Sequence, residues 1–329
     1  MDTMKTLYLL LLVSLSFNVL AQKSNNITKI NKQKHLDDLP SASGVEIIND
    51  QIYVIGDDSP YLYQLDSDFS VIDKTLITGN DSTSNGRVPK AIKSDFESMA
   101  SYHLENDILI AVVSSGSKEV TRDTIHLISL LKKEILFSKN IRPLFDVIRK
   151  KASFSETDEI NIEALAINKT NVFMMQRGNN NENIIMSFDK DNFLNYITTN
   201  DNKVPEFKIY RFSLPSLDNT ISGFSGACIL PDNSGLLFTA SLEATTDAYS
   251  DGEILGSYIG VIKFDNLENG ILSTELITKE NKPLKTKLEG ITVKTMDKNK
   301  ATVIAVSDND DGTSRIFEIE IDFKLLFNK

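Results

Sequence analysis

The stretch GFSGACILPDNSGLLFTASLEA, residues 223–244, contains two short apolar segments joined by a Pro-Asp-Asn-Ser-Gly turn. A serine flanked by small residues stands near its start and an acid near its end. Such a pattern reads as a pair of strands joined by a hairpin. The phrase recurs along the chain. Aligned on the position of Ser225, it appears as ASGVEII at Ser43, DFESMAS at Glu97, NIEALAI at Glu163, GFSGACI at Ser225 and KLEGITV at Glu289, at steps of 54, 66, 62 and 64 residues. After each anchor comes a second apolar segment (QIYVIGDD, ILIAVVSSGSKE, NVFMMQRGNN, LLFTASLEA, ATVIAVSDND) and then a third (YLYQLD, TIHLISL, NIIMSFD, SYIGVIKFD, SRIFEIEID). A fourth is visible in several units, as in VIDKTLI and ILSTELI.

Four strands per unit and five units of about 60 residues predict an all-β fold, a five-bladed β-propeller. The last unit stops after its third strand, and ITKINKQKHL at 27–36 is placed to supply the missing outer strand and close the ring, which protects edges otherwise open to pairing. IRPLFDVIRKK at 141–151 reads as a helical insertion between units two and three. A sixth unit in the 131–160 region is the alternative, giving a six-bladed ring. No interdomain linker is visible, so residues 22–329 read as one propeller domain.

In a propeller the first strand of each blade lines the central channel, so the anchors Ser43, Glu97, Glu163, Ser225 and Glu289 converge on the axis. Three carboxylates facing one another in a narrow channel repel, and either their pKa values rise or a cation sits among them. All the candidate ligands are oxygens, which suits Ca²⁺ with its 6–8 oxygen ligands. Zinc is disfavoured, because His35, His103 and His126 form no spaced cluster. A glutamate before a small residue can also mark a simple turn into a strand. Five such positions in register favour the ion.

Composition limits the rest. The chain of 329 residues is 41% hydrophobic and 25% charged, as expected for a folded globular protein. A net charge of −11 with no basic stripe argues against a nucleic-acid partner. Lys5 precedes the apolar run LYLLLLVSLSFNVLA, and Val19 and Ala21 fit a signal-peptidase site. Residues 1–21 are therefore expected to be a signal peptide, with a mature chain from Gln22 that is secreted or periplasmic. The run is shorter than the roughly 20 residues a span needs, so no membrane anchor is expected in the mature form. Cys228 is the only cysteine, which excludes an intramolecular disulfide, and its apolar neighbours read as a buried, inert thiol.

The anchor order Ser, Glu, Glu, Ser, Glu, with GFSGACILPDNSGLLFTASLE, GSYIGVIKF and KLEGITV, resembles the calcium-activated nucleotidases, the soluble apyrase family of secreted five-bladed propellers. The likeness runs through the mature chain in blade order and is weak outside the anchors. Phytase-like esterase propellers are more distantly similar, and a bacterial propeller family without assigned activity is an equal alternative. The nucleotidase resemblance implies a central Ca²⁺ on the five anchors and a substrate site at the channel mouth. Carried across, it implies catalytic roles for Asp57 and Asp58, for Lys118 and Glu119 of SSGSKEV, for Arg177 of MQRGN and for Glu243. In a phosphoryl-transfer reading Arg177 and Lys118 neutralise phosphate oxygens, Asp57 or Asp58 orients water, and the ion polarises the transferring group. The chain departs from the family at the substrate side. It has no Trp, Val120 stands where the family has an aromatic, Ser59 and Pro60 follow the aspartate pair, and one arginine replaces two in blade three. The function expected is thus a secreted calcium-binding propeller that hydrolyses a phosphorylated or ester substrate, or else a noncatalytic propeller binding module stapled by calcium.

Other motifs carry less. SDNDDGTSR at 307–315 lacks the spacing of a calcium loop and reads as a solvated turn, NNNEN at 179–183 reads as a polar loop, and no histidine has a defined relation to Ser225 that would make a hydrolase triad.

Overall fold

The computed structural model describes residues 27–78, 82–84, 86–178, 182–244, 252–309 and 311–328. The expected signal peptide and the cleavage point before Gln22 lie outside the described residues, as does most of the 179–183 loop. No described helix is long and apolar enough to cross a membrane.

The strands form five four-stranded antiparallel sheets, each a blade read from the axis outward. Blade one is Ala42–Ile48, Gln51–Gly56, Tyr61–Leu65 and Val71–Leu76. Blade two is Phe96–Leu104, Asp107–Ser114, Thr124–Ser129 and Glu134–Asn140. Blade three is Ile162–Ile167, Asn171–Gln176, Asn183–Asp189 and Phe207–Phe212. Blade four is Gly223–Ile229, Gly235–Ala244, Glu253–Lys263 and Ser273–Leu276. Blade five is Lys287–Met296, Lys300–Asp308 and Ser314–Asp322, completed by the N-terminal strand Thr28–Leu36 pairing antiparallel with Ser314–Asp322. The ring is five-bladed, and the 131–160 region holds the outer strand of blade two and a helix in place of a sixth sheet.

That helix, Arg142–Ala152, starts with a proline in its first turn and ends at Ser153 in the left-handed conformation. It buries Leu144, Phe145, Ile148 and Ala152 in the apolar layer between blades two and three. A second helix, Lys190–Thr198, lies between the third and fourth strands of blade three and buries Phe193, Tyr196 and Ile197 in the same layer. Sequence reading did not separate it from the strands beside it. Its signal was a cap: the Asp189 carboxylate accepts from Asn192 N at 2.9 Å.

The five anchors share one backbone device. The pairing of inner and second strands shifts register between Ala42 and Gly44, Phe96 and Ser98, Ile162 and Ala164, Phe224 and Gly226, and Leu288 and Gly290. The residue skipped each time is Ser43, Glu97, Glu163, Ser225 or Glu289. A bulge leaves one residue unpaired and re-aims its side chain, here at the same level in all five blades. Small residues follow the anchors because the inner strands crowd together at the axis. A Cβ on Gly226 would lie 2.3 Å from the Glu289 carbonyl oxygen, and one on Gly290 would lie 2.9 Å from Gly44 Cα.

Candidate metal centre at the channel mouth

Oxygens of Glu97, Glu163 and Glu289 lie within 4.8 Å of one another. Oxygens bound around one Ca²⁺ at about 2.3–2.6 Å are at most about 5 Å apart, so this spacing fits a single ion. The three glutamates and Ser43 line an axial cavity of about 10 Å³, together with the small residues that follow the anchors. That is room for one water-sized body. Ser225 is absent from the lining, and Gly226 stands there instead. The two serine hydroxyls donate to the neighbouring blade: Ser43 Oγ to the Phe96 carbonyl oxygen at 2.5 Å, and Ser225 Oγ to that of Leu288 at 2.6 Å. Each acceptor is the residue before a glutamate anchor.

The glutamates are held unequally. Asn161 Nδ2 donates to Glu163 Oε1 at 2.6 Å. Glu289 is 3% exposed, and neither of its oxygens makes a well-aligned hydrogen bond, although Lys287 Nζ approaches Oε1 to 3.0 Å. Glu97 is partly exposed. Burial pushes the carboxyls of Glu97 and Glu289 well above the usual range, and that of Glu163 upward. For Glu97 the charges of Asp95 and Asp57 add to the rise, whereas Lys287 opposes it at Glu289 and Arg177 opposes it at Glu163.

The axial acids do not stand alone, as the repeats by themselves implied. Arg177, almost fully buried, lies 3.6 Å from Glu163 Oε1 and donates to Glu243 Oε2 at 2.8 Å. Lys287 Nζ is 3.5 Å from the same Glu243 oxygen, so Glu163, Arg177, Glu243, Lys287 and Glu289 form a chain of alternating charge. On the opposite side Lys93, from the connector between blades one and two, contacts Asp57 and lies 2.7 Å from Asp95 Oδ1. Arg122 donates to Asp95 Oδ2 at 2.8 Å. Burial pulls the ammonium of Lys93 down, and Asp57, Asp95 and Glu97 outweigh it, so Lys93 stays charged. Glu243 is likewise raised by burial and lowered more by Lys287 and Arg177. Six carboxylates (Asp57, Asp95, Glu97, Glu163, Glu243, Glu289) thus face four cations (Lys93, Arg122, Arg177, Lys287) among the described residues. With all six ionised, as a bound cation would favour, the excess is two negative charges, the charge of one divalent cation. Oxygen donors, spacing, cavity size and charge all fit Ca²⁺.

The residues that the nucleotidase resemblance implied are dispersed in role. Asp57 is tied to Lys93 and Asp58 to Arg87, Arg177 is clasped between two acids, and Glu243 bridges two cations. Lys118 and Glu119 stand exposed on the turn after the second strand of blade two, and that turn sends Arg122 to Asp95. Sequence reading missed Lys93, Asp95, Arg122, Asn161 and Lys287. Three of these had a signal: Asp95, Asn161 and Lys287 stand two residues before a glutamate anchor in the aligned phrases. Lys93 and Arg122 had none, because each arrives from a loop of irregular length.

Five four-stranded blades, closed by an N-terminal strand around an acidic axial cavity, define a five-bladed β-propeller. The chain belongs to a family of unknown function, DUF6929, whose profile matches residues 38–321. No curated protein matches the sequence. Among solved structures it is similar to the glutaminyl cyclase of Myxococcus xanthus, with a TM-score of 0.44 and 11% identity over 90% of this chain and 96% of that one. It is also similar to a streptogramin B lyase (0.39, 12%, 87% and 86%) and to virginiamycin B lyase from Staphylococcus aureus (0.37, 11%, 89% and 99%). At this distance the similarities concern the fold and carry no argument about activity.

Proposed function

We propose that this chain is an exported, calcium-binding propeller in which one axial Ca²⁺, held by Glu97, Glu163 and Glu289 with Ser43 beside them, staples the blades. The observation that carries the reading is the convergence of three bulge-borne carboxylates on a cavity the size of one ion. The ion would bind only the assembled ring, so its binding free energy adds to stability, by about 2.7 kcal/mol at free Ca²⁺ 100 times Kd. Calorimetric titration of the chelator-treated protein should find one Ca²⁺ per chain, and melting should rise with Ca²⁺ and fall with chelator. No binding, together with melting indifferent to both, rejects the reading. Export is tested separately by mass spectrometry of periplasmic or secreted material, where an N-terminus near Gln22 is expected and an intact Met1 in a membrane fraction is the contrary result.

A second reading is Ca²⁺-dependent hydrolysis of a phosphorylated or ester substrate at the mouth. It rests on the nucleotidase resemblance and on the partial exposure of Glu97, which leaves an ion on that carboxylate within reach of a ligand oxygen. The bound ion would polarise a phosphoryl or acyl group. Within the chain, Arg177 and Lys287 supply positive charge beside the cavity, and Glu243 positions both. A screen of nucleoside di- and triphosphates, phosphomonoesters and aryl esters with and without Ca²⁺ decides between hydrolysis and a binding module.

A further inference from the structure

Two residues before each anchor, the aligned phrases carry Ser41, Asp95, Asn161, Gly223 and Lys287. Two of these side chains turn onto the glutamate of their own blade. In blade three Asn161 does so as a neutral donor, and in blade five Lys287 does so as a cation. Lys287 Nζ lies 3.0 Å from Glu289 Oε1 on the axis and 3.5 Å from Glu243 Oε2 off it, with its side chain largely buried. It is therefore within reach of two acids, and only one of them lines the cavity. Neither Glu289 oxygen makes a well-aligned hydrogen bond, so both are open to a metal.

We propose that Lys287 is a tethered competitor for the axial cation, sharing Glu289 with it and setting the site's affinity for divalent ions. The inference rests on the calcium reading above. An ion bound to Glu289 and an ammonium on the same carboxylate are like charges a few ångströms apart, and their repulsion is strong in a partly desolvated channel. Ion binding then shifts Lys287 toward Glu243, which already holds Arg177. Competition of this kind lets the ring keep a counter-charge on Glu289 at low calcium and give it up when calcium rises. The affinity of the site becomes weaker than three carboxylates alone would make it.

The test is calorimetric Ca²⁺ titration and thermal melting of the full mature chain with Lys287→Met, which keeps the length of the side chain and removes the charge. Lys287→Gln serves as a second variant, placing in blade five a neutral donor like that of blade three. Lys285→Met is the control, since Lys285 is an exposed lysine two residues away, paired to Glu253 at 2.7 Å. Both Lys287 variants should bind Ca²⁺ at least about tenfold more tightly, since a like charge in direct competition is removed. They should also melt lower than wild type under chelator, so that the gap between calcium-free and calcium-loaded melting widens. The control should change affinity less than twofold. Wild-type binding of one ion with affinity unchanged or weaker in both Lys287 variants overturns the competitor and leaves the axial ion standing. An equal gain in the Lys285 control also overturns it, because a general field effect would then suffice. No binding by any of the proteins removes the axial site itself.

Discussion

Ser225 Oγ donates to the carbonyl oxygen of Leu288 at 2.6 Å across the junction of blades four and five, and Leu288 immediately precedes Glu289. Ser43 makes the same bond to Phe96, ahead of Glu97. The serine anchors are therefore clasps between blades that hold the next blade's glutamate in place. Ser225→Ala removes a wholly buried hydroxyl that donates to the Leu288 carbonyl and lies 3.2 Å from Thr239 Oγ1, at a cost of about 1–3 kcal/mol. Melting should drop by a few degrees with and without calcium, and Ca²⁺ affinity should weaken less than in Glu163→Gln. An effect confined to the calcium-loaded form would show that Ser225 acts as a ligand.

Replacing an axial acid by its amide should separate the two states of the protein. The carboxyls of Glu289 and Glu163 are both raised by burial, so their surroundings disfavour the charged form in the absence of an ion. Glu289→Gln and Glu163→Gln should therefore stabilise the chelator-treated protein at neutral pH. Both should also weaken Ca²⁺ binding. Melting curves at pH 7 with chelator and with calcium check this, and lower melting of both variants under chelator contradicts it.

Arg177 is the centre of the charge chain on the blade-three side. Arg177→Ala leaves the buried Glu163 without its ion-pair partner and Glu243 with Lys287 alone, a loss of about 3–5 kcal/mol. The damage to stability should precede any effect on turnover. Arg177→Ala with Glu243→Gln should recover part of it, because one of the stranded charges is gone. Chemical denaturation of the three proteins measures the coupling. Additive losses would mean that the two side chains act independently.

Deeper in the channel, three residues after Ser43, Glu46 accepts from Ser101 N of blade two at 3.2 Å. Burial pushes its carboxyl up to about 7, against hydrogen bonds from Ser101 and the Thr292 side chain. The native state thus holds this proton more tightly than the unfolded chain. The contribution to stability is fully present below about pH 4.5 and is lost as pH rises through 7. Glu46→Gln should match wild type at pH 4.5 and exceed it at pH 8 by something on the order of 1–3 kcal/mol. Denaturation across this range in saturating calcium tests it, and a variant less stable than wild type at pH 8 contradicts the assignment.

Much of the architecture was legible in the chain. The fivefold phrase, the strand patterns, the helix after residue 141 and the closing strand at 27–36 were all read from local signals, because a propeller repeats one supersecondary unit and each unit carries its own alternation and turns. The anchors were legible for the same reason: a bulge at a fixed place in each inner strand keeps one residue in register from blade to blade. The partners of those anchors were settled only by the tertiary structure. Closing the ring brings Arg177, directly after the second strand of blade three, to Glu243, in the second strand of blade four and 66 residues away, and it brings Lys93, from a connector that follows no period, to Asp57, 36 residues away. Pairing between buried charges depends on distances of a few ångströms at low dielectric, and strand periodicity carries no trace of which loop residue will reach across the mouth.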